Sequence, residues 1–385
     1  MTRAHPALTE EHEAWRDTVR RFVEREILPH AAQWDEAGEF PRGLYKKAAA
    51  AGLLGMGFPE EYGGTPADYF FRIVSAEEFA RAGAGGLSAS LFSHTIGAPP
   101  IAAVGSEELK RRVLPAILAG EKISALAITE PSGGSDVASL KTSARREGHE
   151  FVVNGEKTFI TSGMRADYYT VAVRTGGPGA AGVSLLLIER DRAGFTRAPL
   201  KKMGWWCSDT ASLHFADVRV PAANLIGEEN AGFRAIMRNF NAERLAMAAG
   251  AVGFAQACLE DAIDWARARQ TFDKRLVEHQ AIRHKLVDMQ TRVHAARALL
   301  YDTAWKLSGA PREASHIAQL AMLKNFATDT MQFCADCAVQ TLGGAGFIRG
   351  TRAERIYREA KVMQIGGGST EIMKDLAARQ LGWES

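Results

Sequence analysis

The stretch Ser124-Ala-Leu-Ala-Ile-Thr-Glu-Pro-Ser-Gly-Gly-Ser-Asp136 marks the point where the chain changes from a helical to an extended pattern. Before it, apolar residues recur three and four positions apart, as Val19 and Phe22 do, which is the period of an amphipathic helix. After it, apolar runs such as residues 151–153 and 183–188 are short and are separated by turn residues, which is typical of β-strands. The chain therefore places helices and strands in separate regions.

The helical pattern returns at about Glu228, so the strands lie between two helical regions. Residues 231–270 would form a helix about 60 Å long at 1.5 Å per residue, a length that suits a helix bundle. Further helices are predicted over residues 279–308, 313–342 and 351 to the C-terminus. We expect an N-terminal helical domain (residues 1–122), a middle antiparallel β-barrel-like domain (123–228) and a C-terminal four-helix bundle (229–385), which agrees with the length of 385 residues.

Composition and charge exclude several classes of protein. Lys and Arg number 47 and Asp and Glu 45, so the net charge is +2 and no nucleic-acid partner is expected. No stretch approaches the roughly 18 consecutive apolar residues of a membrane span, and no apolar leader precedes the first helix. We therefore expect a cytoplasmic protein.

The cysteines are too few and too unevenly spaced for a disulfide framework, which favours a reducing compartment; they are Cys207, Cys258, Cys334 and Cys337. The segment Cys334-Ala-Asp-Cys337 lies in a helix-like run with no second pair. We interpret its cysteines as core thiols, not as a redox or metal pair, and predict no metal site.

The segment Gly177-Pro-Gly-Ala-Ala-Gly182 satisfies the dinucleotide motif G-x-G-x-x-G literally. It joins two strand-like runs, whereas the motif needs a strand followed by a helix. We interpret it as a hairpin turn.

The segment Ala127–Ser139 follows a strand and combines hydroxyls, glycines and two carboxylates in a loop, where backbone N–H groups could hold polar atoms of a cofactor. A second segment, Asn154-Gly-Glu-Lys-Thr-Phe-Ile-Thr-Ser-Gly163, lies further along the middle region. Together they closely resemble the paired signatures of the acyl-CoA dehydrogenase flavoprotein family. Arg269-Gln-Thr-Phe272, followed by Gln280, resembles the family's R-x-x-F segment, and Gln340–Phe347 resembles its Q-x-x-G-G-x-G-aromatic turn. The helix–strand–helix order fits the family over essentially the whole chain.

The resemblance implies an FAD cofactor and a set of residues that hold it. Phe159 is expected to pack on the isoalloxazine face, where many relatives have Trp, and Thr161 to bond near the flavin N5. The other expected contacts within one subunit are Leu126, Ile128, Thr129, Ser135, Ser369 and Glu371. In the family a second group lies against the FAD of a neighbouring subunit, which implies a homotetramer built as a dimer of dimers; here that group is Arg269, Phe272, Gln280, Gln340, Gly343 and Gly344.

The catalytic base is where this chain departs from most relatives, which have Glu at the position of Gly367. Glycine cannot accept a proton, but Glu243-Arg244 resembles the arrangement in long-chain and isovaleryl-type members, whose base lies on the long bundle helix. Glu243 is therefore the expected base; the alternative is an ordinary solvent-facing Glu beside an Arg. The backbone N–H of Gly367 is expected to polarise the thioester carbonyl. The expected substrate contacts are Ser135, Asn241, Arg244 and Gly366.

The implied activity is α,β-dehydrogenation of an acyl-CoA to trans-2-enoyl-CoA, with the β-hydride going to flavin N5 and the electrons to an electron-transferring flavoprotein. The alternatives are an oxygen-using oxidase or monooxygenase on the same fold and a non-catalytic CoA- or flavin-binding relative. Placement of the base favours long or branched acyl groups, with a citronellyl-CoA-like substrate as runner-up.

Three features leave questions open. Asp273 replaces the family's glycine after R-x-x-F and puts the turn there in doubt, and Gly350 replaces a usual acidic residue. Trp205 and Trp206 fit a CoA entrance and ordinary packing equally well.

Overall fold

The computed structural model describes residues 6–310 and 313–384, which form a helical region, a curled β-sheet and a second helical region in chain order. The architecture expected from the sequence is confirmed. The first residues, Met1–His5, which entered the expectation about a leader segment, lie outside the described part of the chain.

The N-terminal region consists of helices joined by short turns. Thr9 caps the first of them, because its hydroxyl accepts a hydrogen bond from the His12 N–H while the His12 ring bonds the Thr9 backbone. In chain order the helices are α1 (Glu10–Glu26), α2 (Ala31–Ala37), α3 (Gly43–Ala50), α4 (Tyr69–Ala80), α5 (Gly85–Leu91), α6 (His94–Gly97), α7 (Pro99–Val104) and α8 (Glu107–Leu118).

Between residues 124 and 221, all of which the structure describes, one mixed sheet forms. Its strands are β1 (Ser124–Ala127), β2 (Ser143–Glu147), β3 (Glu150–Ile160), β4 (Tyr168–Arg174), β5 (Val183–Glu189), β6 (Phe195–Pro199) and β7 (Ala211–Pro221). They follow the order β1-β4-β2-β3-β7-β6, and β5 also pairs with β4. Most pairs are antiparallel, as predicted, but β1 and β4 are parallel, as is the short β2–β4 pairing. This detail corrects the expectation of a wholly antiparallel sheet: β4 reaches the side of β1 only after the β2–β3 hairpin, and so runs in the same direction.

Two local features of the sheet matter for the site. The pairing of β3 with β7 is irregular between Lys157 and Ile160, where Phe159 has a φ of 60°. Residues 177–182 lie in the connection between the antiparallel strands β4 and β5, so the hairpin interpretation of the G-x-G-x-x-G segment is confirmed.

The C-terminal region is dominated by long helices. They are α9 (Gly232–Ala268), α10 (Gln280–Gly309), α11 (Ala314–Leu342), the short α12 (Gly344–Phe347), α13 (Arg352–Ile365) and α14 (Thr370–Gln380), with a small hairpin of β8 (Gln270–Thr271) and β9 (Lys274–Arg275). The prediction of a single helix from Thr351 to the C-terminus is wrong, because the helix is interrupted at Gly366–Gly368. Gly367 and Gly368 have φ values of 66° and 103°, which glycine adopts without steric cost and which end a right-handed helix.

Helix α4 connects the two halves of the hydrophobic interior. Its Phe79 belongs to the core shared by the N-terminal helices and the sheet, whereas its Phe70 and Ile73 belong to the core of the C-terminal bundle. Cys334 and Cys337 are buried free thiols in or beside that bundle core, as predicted. Among the described residues, every helix is too short or too polar to cross a membrane.

Candidate active site

Glu243 lies on α9 with its carboxylate turned into the protein. Its Oε2 atom is inaccessible to solvent and has no hydrogen-bond partner among the described residues. Burial raises the pKa of Glu243 to about 7, although the positive charges of Arg244 and Lys324 oppose the shift. The structure therefore differs from the solvent-facing alternative and presents a carboxylate that can exchange a proton near neutral pH.

The glycine turn Gly366–Gly368 lies against the same part of α9. Arg244 donates a hydrogen bond from Nε to the Gly367 carbonyl at 3.1 Å. A Cβ atom at Gly367 would lie 2.6 Å from the sulfur of Met247, one helical turn after Glu243, so a side chain there requires Met247 to move. No described residue accepts a hydrogen bond from the Gly367 N–H, which is thus free to bind a ligand atom.

The other expected substrate contacts are distributed unevenly around this point. Arg244 is half-buried and its guanidinium lies 5.4 Å from the centre of the Phe240 ring. Asn241 is half-buried on the same helix, and Gly366 ends α13. Ser135 is exposed in the loop that follows β1, so it belongs with the next group of residues.

The residues expected to hold the flavin meet where β1 leads into its loop and β3 ends. Leu126 lies near the end of β1, and Ile128 and Thr129 come directly after the strand. The Thr129 carbonyl accepts a hydrogen bond from the Thr158 N–H at 2.8 Å. Phe159 is 68% exposed, and Thr161 beside it is half-buried. A large aromatic face held in the open beside polar groups fits a planar ring system such as a flavin.

A buried ion pair holds this cradle together and was missed in the sequence. Lys157 on β3 is fully buried and donates to Glu130 Oε1 at 2.8 Å and to the Ile128 carbonyl at 2.9 Å. Glu130 also accepts hydrogen bonds from the backbone N–H groups of Lys141 and Thr142. Burial lowers the pKa of Lys157 to about 8, while Glu130 opposes that shift. The pair joins the loop after β1 to the strand that carries Phe159.

Ser369 and Glu371 follow the glycine turn at the start of α14. Ser369 caps that helix by accepting a hydrogen bond from the Ile372 N–H, and Glu371 is exposed in its first turn. The turn thus lies between the side of α9 that carries Glu243 and these two residues.

The second group of predicted cofactor contacts lies elsewhere, at the far end of the bundle. An open pocket of about 450 Å³ is lined there by Arg269, Gly343 and Gly344, among others. Gln280, at the start of α10, and Gln340, near the end of α11, are exposed. Along α9, Glu243 and Arg269 are 26 positions apart, about 39 Å at 1.5 Å per residue. The structure does not bring this group to the cradle of the same chain.

The departure at Asp273 leaves the local turn intact. Phe272 and Asp273 form the two-residue loop between β8 and β9, with φ values of 52° and 60°. Positive φ at both central residues is what a tight hairpin turn of this kind requires, and Asp tolerates it better than most residues. The Phe272 ring is 91% exposed at the tip.

The two tryptophans make packing contacts where the N-terminal helices meet α13. Trp206 lies between the guanidinium groups of Arg349 and Arg358, at 4.1 and 3.7 Å from the ring centre. Trp205 packs so closely that a Cβ at Gly85 would lie 2.7 Å from its indole nitrogen. These contacts favour the packing interpretation.

Lys324 on α11 is a further buried residue at the site that sequence reasoning missed. Its side chain is fully buried, and its ammonium group donates to the Gly368 carbonyl at 2.8 Å. A signal was present in the sequence, because Lys324 shares a helix face with apolar Leu320 and Ala327. Lys157 gave a weaker signal, since a single Lys in a strand usually faces solvent.

Comparison with known proteins identifies the family to which this chain belongs. Family models described as the N-terminal, middle and C-terminal domains of acyl-CoA dehydrogenase match residues 9–121, 125–218 and 230–382. An acyl-CoA dehydrogenase of Bacillus subtilis is 38% identical over 97% of this chain and 98% of its own length. The mitochondrial long-chain specific acyl-CoA dehydrogenase of Sus scrofa is 37% identical over 96% of this chain and 86% of its own length. A crystal structure of a putative acyl-CoA dehydrogenase from Mycobacterium smegmatis is 47% identical, covers 98% of this chain and 99% of its own, and superposes with a TM-score of 0.95. The protein is an oxidoreductase of the acyl-CoA dehydrogenase family.

Proposed function

We propose that the protein dehydrogenates an acyl-CoA thioester to trans-2-enoyl-CoA, with Glu243 as the base that removes the α-proton. The observation that carries the proposal is the buried Glu243 carboxylate, which has an oxygen without a partner and a pKa raised to about 7. A carboxylate in such a place costs free energy, and ionisable groups with strongly shifted pKa values are concentrated at functional sites. An α-proton of a thioester is the kind of weak acid that a partly desolvated carboxylate can remove.

The glycine turn supplies the second requirement of this reaction. Negative charge grows on the thioester oxygen as the proton leaves, and a fixed N–H donor stabilises it. The Gly367 N–H is unpaired among the described residues and belongs to a turn held against α9 by Arg244. Arg244, Asn241, Gly366 and Ser135 are the proposed contacts of the rest of the substrate.

FAD is the proposed cofactor, and when bound it would supply the acceptor for the β-hydride. Phe159 offers its exposed ring to the flavin, and the polar groups around Thr129, Ser135 and Thr161 offer hydrogen bonds. Leu126 and Ile128 support the loop from the end of β1, and Ser369 and Glu371 approach from α14. The electrons leave to an electron-transferring flavoprotein.

A second subunit completes the proposed cofactor site. Arg269, Phe272, Gln280, Gln340, Gly343 and Gly344 lie too far along the bundle from Glu243 to reach the same bound FAD in one chain. Exposed apolar side chains accompany them, since Phe272 is 91% and Phe347 84% exposed. We therefore propose a homotetramer built from dimers in which each chain contributes this end of its bundle to its partner's FAD.

The proposed substrates are long or branched acyl-CoAs, with a citronellyl-CoA-like group as the runner-up. Support comes from the base on the bundle helix and from the long-chain specific relative. Initial rates on straight and branched acyl-CoAs test the assignment, and preference for a short straight chain would contradict it. The domain limits at residues 122 and 228 and a cytoplasmic location remain predictions.

Anaerobic addition of acyl-CoA to the purified flavoprotein tests the reaction itself. We expect the flavin absorbance to bleach and trans-2-enoyl-CoA to appear, with negligible hydrogen peroxide after air is admitted. Rapid peroxide formation would favour the oxygen-using alternative. Binding without bleaching for every acyl-CoA tried would favour the non-catalytic one.

A further inference from the structure

The glycine turn is held from two sides by cations on different helices. Arg244 on α9 donates to the Gly367 carbonyl at 3.1 Å, and Lys324 on α11 donates to the Gly368 carbonyl at 2.8 Å. Lys324 also donates to the Gln364 carbonyl at 3.3 Å, in the last turn of α13. The carbonyls of Gly367 and Gly368 are thereby held in place. Lys324 binds carbonyls on both sides of the Gly366–Gly367 peptide group, which carries the Gly367 N–H, so this group has little freedom to rotate.

The partners of Lys324 are unusual for a buried cation. No carboxylate lies within ion-pair distance of its ammonium group among the described residues, so its hydrogen-bond acceptors are backbone carbonyls. A cation is favoured at the C-terminal end of a helix, where α13 leaves its last carbonyls unpaired. Full burial of a lysine costs free energy, and these contacts offset only part of that cost.

The next residue of α11 fixes the other side of the turn. Asn325 donates from its side-chain amide to the Thr370 carbonyl at 2.9 Å, at the start of α14. Lys324 and Asn325 together attach α11 to both ends of a segment whose glycines would otherwise be free to move.

We propose that Lys324 is a positioning residue for the reaction, which holds the Gly367 N–H in line with the thioester oxygen and keeps a positive charge near Glu243. The inference rests on the proposed function. Lys324 acts through the turn and through the electrostatic field, and it does not touch the reacting atoms. A misplaced donor stabilises the developing charge less, so the rate falls without loss of binding.

The charge of Lys324 adds a second, separable effect. The charges that act on Glu243 are those of Arg244 on its own helix and Lys324 on α11. Lys324 is in turn affected by Arg244, by Asp329 on α11, by Glu243 and by Glu371 on α14. Loss of one nearby cation makes ionisation of Glu243 harder. The pH midpoint of flavin reduction then moves to higher pH.

The experiment measures flavin reduction by saturating acyl-CoA in the FAD-loaded enzyme from pH 6 to 9 for Lys324→Met. We expect the rate constant to fall roughly tenfold or more, the pH midpoint to rise and the Kd for acyl-CoA to change little. Lys46→Met, which removes an exposed lysine of α3, is the matched control and leaves both quantities unchanged.

Asn325→Ala separates geometry from charge. It removes an anchor of the turn without changing charge, so it slows reduction but leaves the pH midpoint in place. If Lys324→Met does not fold, Lys324→Gln is measured in the same way. An unchanged rate and midpoint in a folded Lys324 variant would overturn the inference, whereas wild-type enzyme that acyl-CoA never reduces would instead contradict the proposed function.

Discussion

Lys157 and Glu130 form a buried ion pair with a nitrogen–oxygen distance of 2.8 Å, inside the loop and strand that carry the proposed flavin contacts. Lys157 also binds the Ile128 carbonyl, and the neighbouring Thr158 N–H binds the Thr129 carbonyl. The cradle is thus braced from within the sheet before any cofactor arrives. Its stability and its affinity for FAD should therefore depend on one pair of charges.

Lys157→Met tests this dependence. The substitution leaves Glu130 buried without its cation, so we expect a loss of about 3–5 kcal/mol in the free energy of unfolding and faster loss of FAD. The double variant Lys157→Met/Glu130→Gln removes both charges and should recover part of the stability. Thermal unfolding and FAD content measure both effects in the two single variants, Lys157→Met and Glu130→Gln, and in the double variant. Single-variant losses that simply add up in the double variant would show that the pair is not coupled.

Glu243→Gln removes the proposed base and preserves the shape of the side chain. Acyl-CoA should still bind, but flavin reduction should slow by several orders of magnitude, because an amide cannot take the α-proton. Stopped-flow absorbance under anaerobic conditions gives the rate, and a binding titration gives the Kd. Glu24→Gln, an exposed position on α1, is the control and should behave as wild type. Normal reduction in the Glu243→Gln variant would rule out Glu243 as the base.

The rate of flavin reduction should rise with pH. The base works only when ionised, and burial raises the pKa of Glu243 to about 7, so the ionised fraction grows as the pH increases through neutrality. At subsaturating acyl-CoA, where the rate reports the free enzyme, we expect a midpoint near pH 7. The same rise in the Glu243→Gln variant would assign the titration to another group.

Glu243→Gln should also stabilise the fold at alkaline pH. The folded-state pKa of Glu243 lies above the ordinary value for Glu, so the folded protein binds a proton that the unfolded chain releases, and stability is lost as the pH rises from about 4.5 to about 7. Gln has no such cost. The thermal midpoint of the variant, at equal FAD loading, should exceed that of wild type at pH 8 and approach it at pH 5. A lower midpoint at pH 8 would mean that the carboxylate is better solvated than its burial indicates.

Phe159 should contribute to cofactor affinity through its ring. Phe159→Ala removes the aromatic face, and we expect FAD binding to weaken about tenfold, the equivalent of roughly 1.4 kcal/mol. Phe159→Trp keeps an aromatic face and should bind at least as tightly as wild type. Trp305→Ala removes another exposed ring, on α10, and should leave FAD affinity unchanged. Equal affinity of the Ala and Trp variants would exclude stacking at this position.

Local patterns in the sequence were sufficient for the order of helices and strands and for the motifs. The capping residue Thr9, the three-and-four spacing of α1 and the short apolar runs of the sheet act over a few neighbouring residues, so a single sequence displays them. Gly367 showed that the usual base was absent, and the pair Glu243-Arg244 indicated a replacement. None of these patterns indicates that the Glu243 carboxylate is buried.

That burial depends on contacts between residues far apart in the chain. Gly367 contacts α9 only because the helix is interrupted between α13 and α14. Lys324, more than 40 positions earlier in the sequence, donates a hydrogen bond to the Gly368 carbonyl in this interruption. Helical periodicity predicts one continuous helix there, because it depends only on the spacing of residues along the chain. It carries no information about the hydrogen bonds that Arg244 and Lys324, on two other helices, donate to the glycine turn. The base and the glycine turn were therefore readable from the linear chain. The pKa of Glu243, the free N–H of Gly367 and the buried contacts of Lys157 and Lys324 arise from packing, which sets dielectric, orientation and distance.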